Sequence, residues 1–213
     1  MSVRSPSRMS ILAAKRAFDM AASGSALLIC LPLMAVVALA VRLDTPGPIL
    51  FRQLRVGRHG RGFHILKFRT MLDRPSRPGQ EITMHLDPRV TATGTYLRHW
   101  KLDELPQLWN VFRGDMSIVG PRPEVPRYVE LYPQPERDIV LSVRPGITDP
   151  ASIKYRSEAD MLAGSDDPEQ MYREVILPDK LSMAADYAAR ISLRGDLGII
   201  LQTVRKVVGR AGH

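Results

Sequence analysis

Two adjacent carboxylates, Asp103 and Glu104, are the side chains of this sequence whose types and spacing best fit catalysis. They begin a segment, 102–113, whose apolar residues repeat at the i, i+3, i+4 and i+7 positions of a helix. This apolar stripe consists of Leu105, Leu108, Trp109 and Phe112, and Gly114 supplies the helix stop. We expect the stripe to face the core. The opposite face carries Asp103, Gln107 and Asn110, with Glu104 at its border.

The spacing of the two carboxylates limits the chemistry that they can share. Successive residues of a helix point about 100° apart, so the pair cannot face each other across a sugar ring as the two acids of a glycosidase do. Separate roles fit better: one carboxylate attacks phosphorus to form an acyl phosphate, and the other holds Mg²⁺ near the phosphate oxygens. The alternative is that both only cap a helix, because negative charge is favoured in a first turn.

Several basic side chains fit a phosphate-rich substrate. The candidates are Lys67 and Arg69 in KFRTM, Arg98 just before the carboxylates, Arg122 in GPRP and Arg144 in RPG. Arg122 is the strongest candidate, because the prolines on both sides restrict its backbone and its guanidinium suits bidentate phosphate contact. For any one of them, a solvated surface side chain is the alternative.

An uncharged apolar run at 20–41 is long enough to cross a bilayer, since a helix of this length measures about 33 Å against about 30 Å of hydrocarbon. Pro32 removes one helical N–H and biases Leu31 away from helical backbone, so we expect the helix to break at Leu31 and Pro32. Basic residues flank both ends of the run, and positive charge favours the cytoplasmic side. A re-entrant helix over 11–42 keeps both flanks there. A single span, a signal peptide and a soluble core helix are the alternatives.

The rest of the chain is predicted to be a basic arm and a cytoplasmic body. Residues 1–10 form a mobile arm, and 43–213 form the catalytic domain. β-Branched and aromatic residues at 49–56 and 62–70 predict a β-hairpin, whereas the composition of 73–93 predicts a long loop.

Helices are predicted for the C-terminal part. The segment 168–193 fits two helices broken at Pro178, and 196–210 fits one amphipathic helix with basic residues beside its apolar face. That last helix either lies on an anionic membrane surface or packs on the core. The predicted fold class is therefore α+β and mainly helical, with a re-entrant helix, a small hairpin and interfacial amphipathic helices around the active site.

Composition excludes several classes of protein. The chain has 213 residues, 45% of them apolar, a net charge of +8 and one cysteine, Cys30. A disulfide framework and a cysteine-based metal site are excluded, and the sequence has no HExxH motif and no P-loop. The positive charge suits phosphate in a nucleotide, a lipid headgroup or nucleic acid. Two rivals to an enzyme are a membrane-tethered scaffold that binds anionic lipid and a nucleic-acid-binding protein, although no nucleic-acid-binding motif is present.

Several long motifs resemble those of one known family, in the same order. They are KRAFDM before the apolar run, FHILKFRTM, LRHWKLDELPQLWNVFRGDMSIVGPRP and RPGIT. The resemblance covers 15–156 and is to the bacterial sugar transferases, the monotopic phosphoglycosyl transferases that begin lipid-linked glycan assembly. In length the chain resembles the small form of that family, which consists of the catalytic unit.

This resemblance implies transfer of a sugar 1-phosphate from a UDP-sugar to undecaprenyl phosphate, with release of UMP. It makes Asp103 the nucleophile of a covalent phosphosugar intermediate, and it makes Glu104 its partner and Mg²⁺ ligand. The phosphate-binding residues that it implies are Arg98, Arg122, Lys67 and Arg144.

The resemblance also implies a monotopic protein of the bacterial inner membrane with its catalytic body on the cytoplasmic face. Its partners would be UDP-sugar, undecaprenyl phosphate and membrane phospholipid, without nucleic acid, and a homodimer is compatible with it. Two departures stand out. Lys101 stands where the family often has Ser or Thr, so the capping box before Glu104 is missing. After RPGIT, DPASIKYRSE replaces a continuation of the GWAQVNGR type and is a candidate for selecting the sugar.

Overall fold

The computed structural model describes residues 7–72 and 87–209 and has the predicted mainly helical α+β fold. Its helices are α1 (Arg8–Asp44), α2 (Ala92–His99), α3 (Gln107–Arg113), α4 (Pro126–Val129), α5 (Gln134–Leu141), α6 (Pro150–Lys154), α7 (Glu158–Ala163), α8 (Pro168–Met171), α9 (Leu177–Ala189) and α10 (Leu193–Val208). Its strands are β1 (Leu50–Val56), β2 (Gly62–Phe68), β3 (Ser117–Val119) and β4 (Gly146–Thr148). Strands β1 and β2 pair antiparallel, and β3 and β4 pair parallel.

The predicted hairpin is confirmed. Strands β1 and β2 pair along their whole length around a 3₁₀ turn at Arg58–Gly60. Successive side chains of a strand alternate between its two faces, so Phe63, Ile65 and Lys67 of β2 share one face. Phe63 and Ile65 are buried against Val111 of α3. The strand period therefore directs Lys67 to the side of the hairpin on which α3 lies.

Two predicted irregular segments lie largely outside the described residues. Within the arm at 1–10, α1 already begins at Arg8, where the Ser7 side chain caps it. Of the loop at 73–93, residues 73–86 lie outside the described part, and α2 begins at Ala92. Helix α2 was not predicted, because its two threonines and its glycine are poor helix formers.

Helix α1 is continuous for 37 residues and runs through Leu31 and Pro32. The expected break of the helix at Leu31 and Pro32 is not found. Proline fixes φ at a value close to that of a helix and removes only its own N–H, so the turns on either side can hold a long helix together. The re-entrant course of this helix through a membrane stays a prediction.

Both flanks of the apolar run pack against the body, whereas its middle is exposed. Ser23 near the N-terminal end of the run and Val41 at its C-terminal end are buried. Between them, Leu28 and Ile29 are 76% and 77% exposed. Helix α1 is long and apolar enough to cross a membrane, and a large exposed apolar surface is typical of membrane contact.

A buried ion pair fastens α1 to α10. Lys15 Nζ lies 2.5 Å from Asp196 Oδ2, and the two side chains are 7% and 1% exposed. The other oxygen of Asp196 accepts a hydrogen bond from the Tyr187 hydroxyl at 2.8 Å. Both oxygens of the buried carboxylate are thus partnered, which is the condition under which burying a charge is tolerated.

We expect Lys15→Met to destabilise the protein by about 3–5 kcal/mol, because it leaves a buried carboxylate without its cation. The free energy of unfolding by denaturant, measured in detergent micelles, checks this value. Lys154→Met is the matched control: Lys154 pairs with Asp179 but is 53% exposed. Losing that pair should cost at most about 1 kcal/mol. Equal losses in the two variants would contradict the role of the buried pair.

The C-terminal helices differ from the prediction at Pro178. Instead of a break, a π-helical stretch at Tyr172–Ile176 joins α8 to α9, and Pro178 lies in the first turn of α9. Proline has no N–H to donate to the preceding turn. A π turn changes the hydrogen-bond pattern locally and can compensate for this missing donor, so the chain stays helical.

Helix α10 has both a core-packed face and an exposed apolar face, which are the two alternatives that its sequence left open. Ile199 and Ile200 pack against a buried cluster. Leu197, Leu201 and Val204 point outward and are 50%, 56% and 52% exposed. One face is therefore a core face, and the other is an exposed apolar stripe beside basic residues, as in helices that lie on membranes.

Candidate active site

A short 3₁₀ turn, Leu102–Glu104, presents the two carboxylates, and α3 begins only at Gln107 after Pro106. The predicted single helix over 102–113 is therefore divided in two. Lys101, just before the turn, has the left-handed φ of 58°, which is uncommon for a residue other than glycine. Its side chain caps nothing, as expected from the missing capping box.

Helix α3 has its polar face inward and its apolar face outward, the reverse of the prediction. Gln107 and Asn110 are each 1% exposed, whereas Trp109 and Phe112 are 49% and 39% exposed. The aromatic rings of Trp109 and Phe112 stack on each other at 5.9 Å between centroids. The expectation that the Leu/Trp/Phe stripe faces the core is therefore wrong for Trp109 and Phe112, whereas Leu105 packs against a buried cluster.

The cause of this inversion lies in the partners of α3. Asn110 Oδ1 accepts from the Leu66 N–H at 3.0 Å, and its Nδ2 donates to the His64 carbonyl at 2.9 Å. The polar face thus binds the backbone of β2. On the outer side, Phe112 lies so close to Gly24 of α1 that a Cβ there would be 3.3 Å from its ring. The apolar face of α3 therefore continues the exposed apolar surface of α1.

Glu104 is the centre of an ion-pair cluster that includes two predicted phosphate-binding residues. Its Oε1 lies 2.8 Å from Lys67 Nζ and 2.5 Å from Arg122 Nη2. Burial would raise the pKa of Glu104, but the charges of Arg122 and Lys67 outweigh it and hold the pKa well below its usual range. Glu104 is therefore an anion that binds two cations, and it does not cap a helix.

Asp103 has a different environment. It is 7% exposed, and its Oδ1 is buried without a hydrogen-bond partner among the described residues. Burial raises the pKa of Asp103, and the charge of Lys67 opposes the rise. A buried oxygen with free lone pairs beside a cation is available to attack an electrophile or to bind a metal ion.

The backbone around β3 and β4 sets the position of Arg122. The loop after β3 crosses β4 so closely that a Cβ on Gly146 would lie 2.1 Å from the Gly120 nitrogen. The Gly146 N–H donates to the Pro121 carbonyl at 2.9 Å. The Arg122 N–H donates to Asp149 Oδ2 at 3.3 Å. GPRP and RPGIT, which are separate motifs in the sequence, are thus one structural unit that holds Arg122 against Glu104.

Arg98 lies within the electrostatic reach of the nucleophile candidate. Its Nε donates to Thr70 Oγ1 at 3.0 Å. Burial lowers the pKa of Arg98, and the charge of Asp103 is the main effect that opposes it. The structure therefore brings five of the predicted site residues together: Asp103, Glu104, Arg98, Arg122 and Lys67.

Two other basic candidates lie elsewhere. Arg144 Nε donates to the carbonyl of Gly114 at 2.8 Å, at the C-terminal end of α3. Arg69 Nη2 donates to the Thr45 carbonyl at 2.6 Å and Nη1 to the Pro46 carbonyl at 3.0 Å, just after α1. Both hold chain segments in place, and neither bonds to Asp103 or Glu104.

A cavity of about 560 Å³ adjoins the ion-pair cluster. Glu104, Arg122 and Lys101 line it, and so do Tyr132 and Ser152. Sequence reasoning did not identify Tyr132 or Ser152 as site residues. The unusual segment after RPGIT contains Ser152 and was a signal for that residue. No signal in the sequence indicated Tyr132.

The carboxylates fit a magnesium ion that is shared with a substrate. Mg²⁺ is commonly bound through one or two carboxylates together with substrate phosphates. Asp103 Oδ1 has no partner, and Glu104 Oε2 has only a long contact of 3.5 Å to Arg122 Nη1. Within the described part of the chain, no group of three or more His, Cys, Asp or Glu side chains could hold a metal ion alone.

Comparison with known proteins points to one family. The family model described as bacterial sugar transferase matches residues 10–210. The UDP-glucose:undecaprenyl-phosphate glucose-1-phosphate transferase of Caulobacter vibrioides is 39% identical over 92% of this chain and 70% of its own. The enzyme of the same name from Escherichia coli K12 is 38% identical over 90% of this chain, which spans 39% of that relative. The exopolysaccharide production protein PSS of Rhizobium leguminosarum is 38% identical over 91% of this chain and 94% of its own.

Proposed function

The chain belongs to the bacterial sugar transferase family, and we propose that it transfers a sugar 1-phosphate from a UDP-sugar to undecaprenyl phosphate with release of UMP. This reaction would begin the synthesis of a lipid-linked glycan. The observation that carries the proposal is the unpartnered, buried oxygen of Asp103 beside a carboxylate that is held by two cations. The names of the relatives point in the same direction.

The geometry supports a double displacement. In the first step an Asp103 oxygen attacks the sugar-bearing phosphorus, a new P–O bond forms, the diphosphate P–O bond breaks and UMP leaves. In the second step a phosphate oxygen of undecaprenyl phosphate attacks the same phosphorus and releases the Asp103 carboxylate. Arg122 and Lys67 stabilise the negative charge that develops on the phosphoryl oxygens, and Arg98 adds a third positive charge near Asp103.

Glu104 has a positioning role in this scheme. It holds Lys67 and Arg122 in fixed places before substrate binds, so little reorganisation is needed in the transition state. We also propose Glu104 as the protein ligand of Mg²⁺, with Asp103 Oδ1 as a second oxygen. The bound ion would neutralise charge on the diphosphate.

Release of UMP tests the proposed function. We expect purified protein in detergent, with undecaprenyl phosphate and Mg²⁺, to release UMP from at least one member of a panel of UDP-sugars. A membrane-tethered scaffold would release none, and neither would a nucleic-acid-binding protein. Release of UMP without transfer of the sugar phosphate to lipid would show hydrolysis instead and would contradict the assigned acceptor.

The packing of α1 supports a re-entrant helix at the cytoplasmic face of the inner membrane. Both flanks of its apolar run are fixed to one body, through Lys15 and Asp196 at one end and through Val41 and Phe68 at the other. A helix that crossed the bilayer completely would carry one flank away from that body. The exposed apolar faces of α3 and α10 would lie at the same interface.

We expect both flanks of α1 to be accessible from the cytoplasmic side only. Cys30 is the one native cysteine, so Cys30→Ser gives a background free of thiols. Ala13→Cys and Leu43→Cys then place one exposed thiol on each flank. A membrane-impermeant maleimide should label both variants in inverted vesicles and neither in right-side-out vesicles. Labelling of the two flanks from opposite sides would contradict the re-entrant course.

A further inference from the structure

The cavity beside Glu104 and Arg122 contains two hydroxyl groups that the protein itself does not use. Ser152 Oγ is buried without a hydrogen-bond partner among the described residues. Tyr132 also lines the cavity, and no hydrogen bond of its hydroxyl occurs in the described part of the chain. A buried hydroxyl without a partner, such as that of Ser152, loses its hydration and gains nothing in return, so it indicates a polar ligand. The half-buried Tyr132 adds a second hydroxyl to the lining of the same cavity.

The other tyrosines that line the cavity differ from Tyr132. The Tyr128 hydroxyl donates to Glu169 Oε2 at 3.0 Å. The Tyr155 hydroxyl donates to Asp179 at 2.7 Å, and the Tyr172 hydroxyl donates to Glu124 at 2.7 Å. Their hydroxyls are fixed by carboxylates, so their rings form part of a rigid wall. Tyr132 is the tyrosine of this wall whose hydroxyl is available to a ligand.

One carboxylate, that of Asp149, binds the backbone of both Arg122 and Ser152. Asp149 Oδ2 accepts the backbone N–H of Arg122, and Oδ1 accepts the backbone N–H of Ser152 at 2.7 Å. The charge of Asp149 also acts on Tyr132, whose pKa is raised by burial and by the charges of Glu124 and Asp149. Ser152 and Tyr132 therefore share one carboxylate neighbour with Arg122 and line the same cavity.

On the basis of the proposed function, we propose that this cavity holds the sugar ring of the donor and that Ser152 and Tyr132 recognise its hydroxyl groups. A sugar ring attached to a phosphate at Arg122 would extend past Asp149 towards Ser152. The volume of about 560 Å³ lies within the range of about 300–1,000 Å³ that is usual for small-molecule sites. The segment that departs from the family pattern, DPASIKYRSE, is thus a wall of the sugar site and contributes Ser152 to it.

The test compares donors that differ in the position or substitution of one hydroxyl. Ser152→Ala and Tyr132→Phe each remove one oxygen, and kcat/KM is measured for UDP-glucose, UDP-galactose and UDP-N-acetylgalactosamine. We expect the ratio of kcat/KM between the best donor and its competitors to change about tenfold in each variant. Inhibition by UMP, which has no sugar beyond its ribose, should stay unchanged. Ser152→Thr retains the hydroxyl and should keep the wild-type order of donors.

Matched controls separate recognition from general damage. Ser157→Ala changes an exposed serine of the same segment, and Tyr96→Phe changes a tyrosine of α2 that is 68% exposed. Neither control should change the donor ratios. Unchanged ratios in Ser152→Ala and Tyr132→Phe, with an active wild type, would overturn the assignment of the sugar site. An equal loss for all donors together with weaker UMP inhibition would overturn it too, because the cavity would then hold the nucleoside.

Failure of the proposed function gives a different result. A folded wild-type protein that releases UMP from no UDP-sugar would overturn the transferase proposal itself, before any variant is compared. A transferase that is active but whose donor ratios do not depend on Ser152 or Tyr132 would leave the proposed function standing and would reject only the sugar site.

Discussion

Asp103→Asn is expected to lower turnover by at least about 10³-fold, because an amide cannot form the covalent intermediate. Asparagine has nearly the same size as aspartate, so it should fit this side-chain position, which is only 7% exposed, without disturbing the fold. The measurement has two parts: UMP release, and retention of label on the protein after mixing with a UDP-sugar labelled in its sugar. We expect label on the wild-type protein in the absence of undecaprenyl phosphate, and none on the variant.

Asp186→Asn is the matched control, because its carboxylate is 71% exposed on α9. We expect wild-type turnover and labelling from it. Full turnover in Asp103→Asn would refute the role of Asp103 as the nucleophile. Label that stays on Asp103→Asn would place the covalent bond on another residue.

Glu104→Gln should have the second largest effect, a loss of turnover of about 10² to 10³-fold, since it removes the one anion that positions two catalytic cations. The variant should also be less stable, because Lys67 and Arg122 lose the carboxylate that pairs with both of them. Steady-state kinetics and thermal unfolding in detergent check the two effects. Glu174→Gln, which changes an exposed glutamate away from the cavity, is the control for both.

The loss of stability caused by Glu104→Gln should become smaller as the pH falls. The pKa of Glu104 is lowered in the folded protein, so its charge contributes stability that is fully present above the unfolded value of 4.5. That contribution is lost as the pH falls through the folded pKa. The difference in Tm between wild type and variant should therefore be constant near neutral pH and should narrow below about pH 4.5. A difference that widens in acid would show that Glu104 is not held as an anion.

The sequence was sufficient to single out the side chains of the ion-pair cluster as candidate site residues, although it did not predict that Glu104 pairs with Lys67 and Arg122. Asp103 and Glu104 adjoin each other, Lys67 occurs in the basic motif KFRTM, and Arg122 lies between two prolines that restrict the backbone. Strand alternation in β2 places Lys67 on the same side as two buried apolar residues. These properties are local, and local patterns can be recognised in a single sequence.

The orientation of α3 was not predictable in this way. Periodicity shows that one face of a helix is apolar, but it does not show whether the core or a lipid phase covers that face. In α3 the apolar face points outward, because Asn110 binds the backbone of β2 on the inner side. The same limit applies to Arg144, whose motif looks suited to phosphate but whose guanidinium binds the end of α3.

The cavity was also beyond prediction, since it depends on contacts between distant parts of the chain. Its walls combine Glu104 with Tyr132 of the segment after α4 and Ser152 of α6. The contact between Gly120 and Gly146 that joins GPRP to RPGIT leaves no trace in either motif taken alone. A single sequence gives no information about which of its loops cross.

The ion pair between Lys15 and Asp196 joins positions that are 181 residues apart. A ribosome completes the first helix long before it has made the carboxylate that neutralises Lys15. During that interval Lys15 has no carboxylate to neutralise it, and burying an unpaired charge is costly. We therefore expect the start of α1 to reach its buried position only after α10 has been made, and a nascent chain that stops before position 196 would leave Lys15 without its partner.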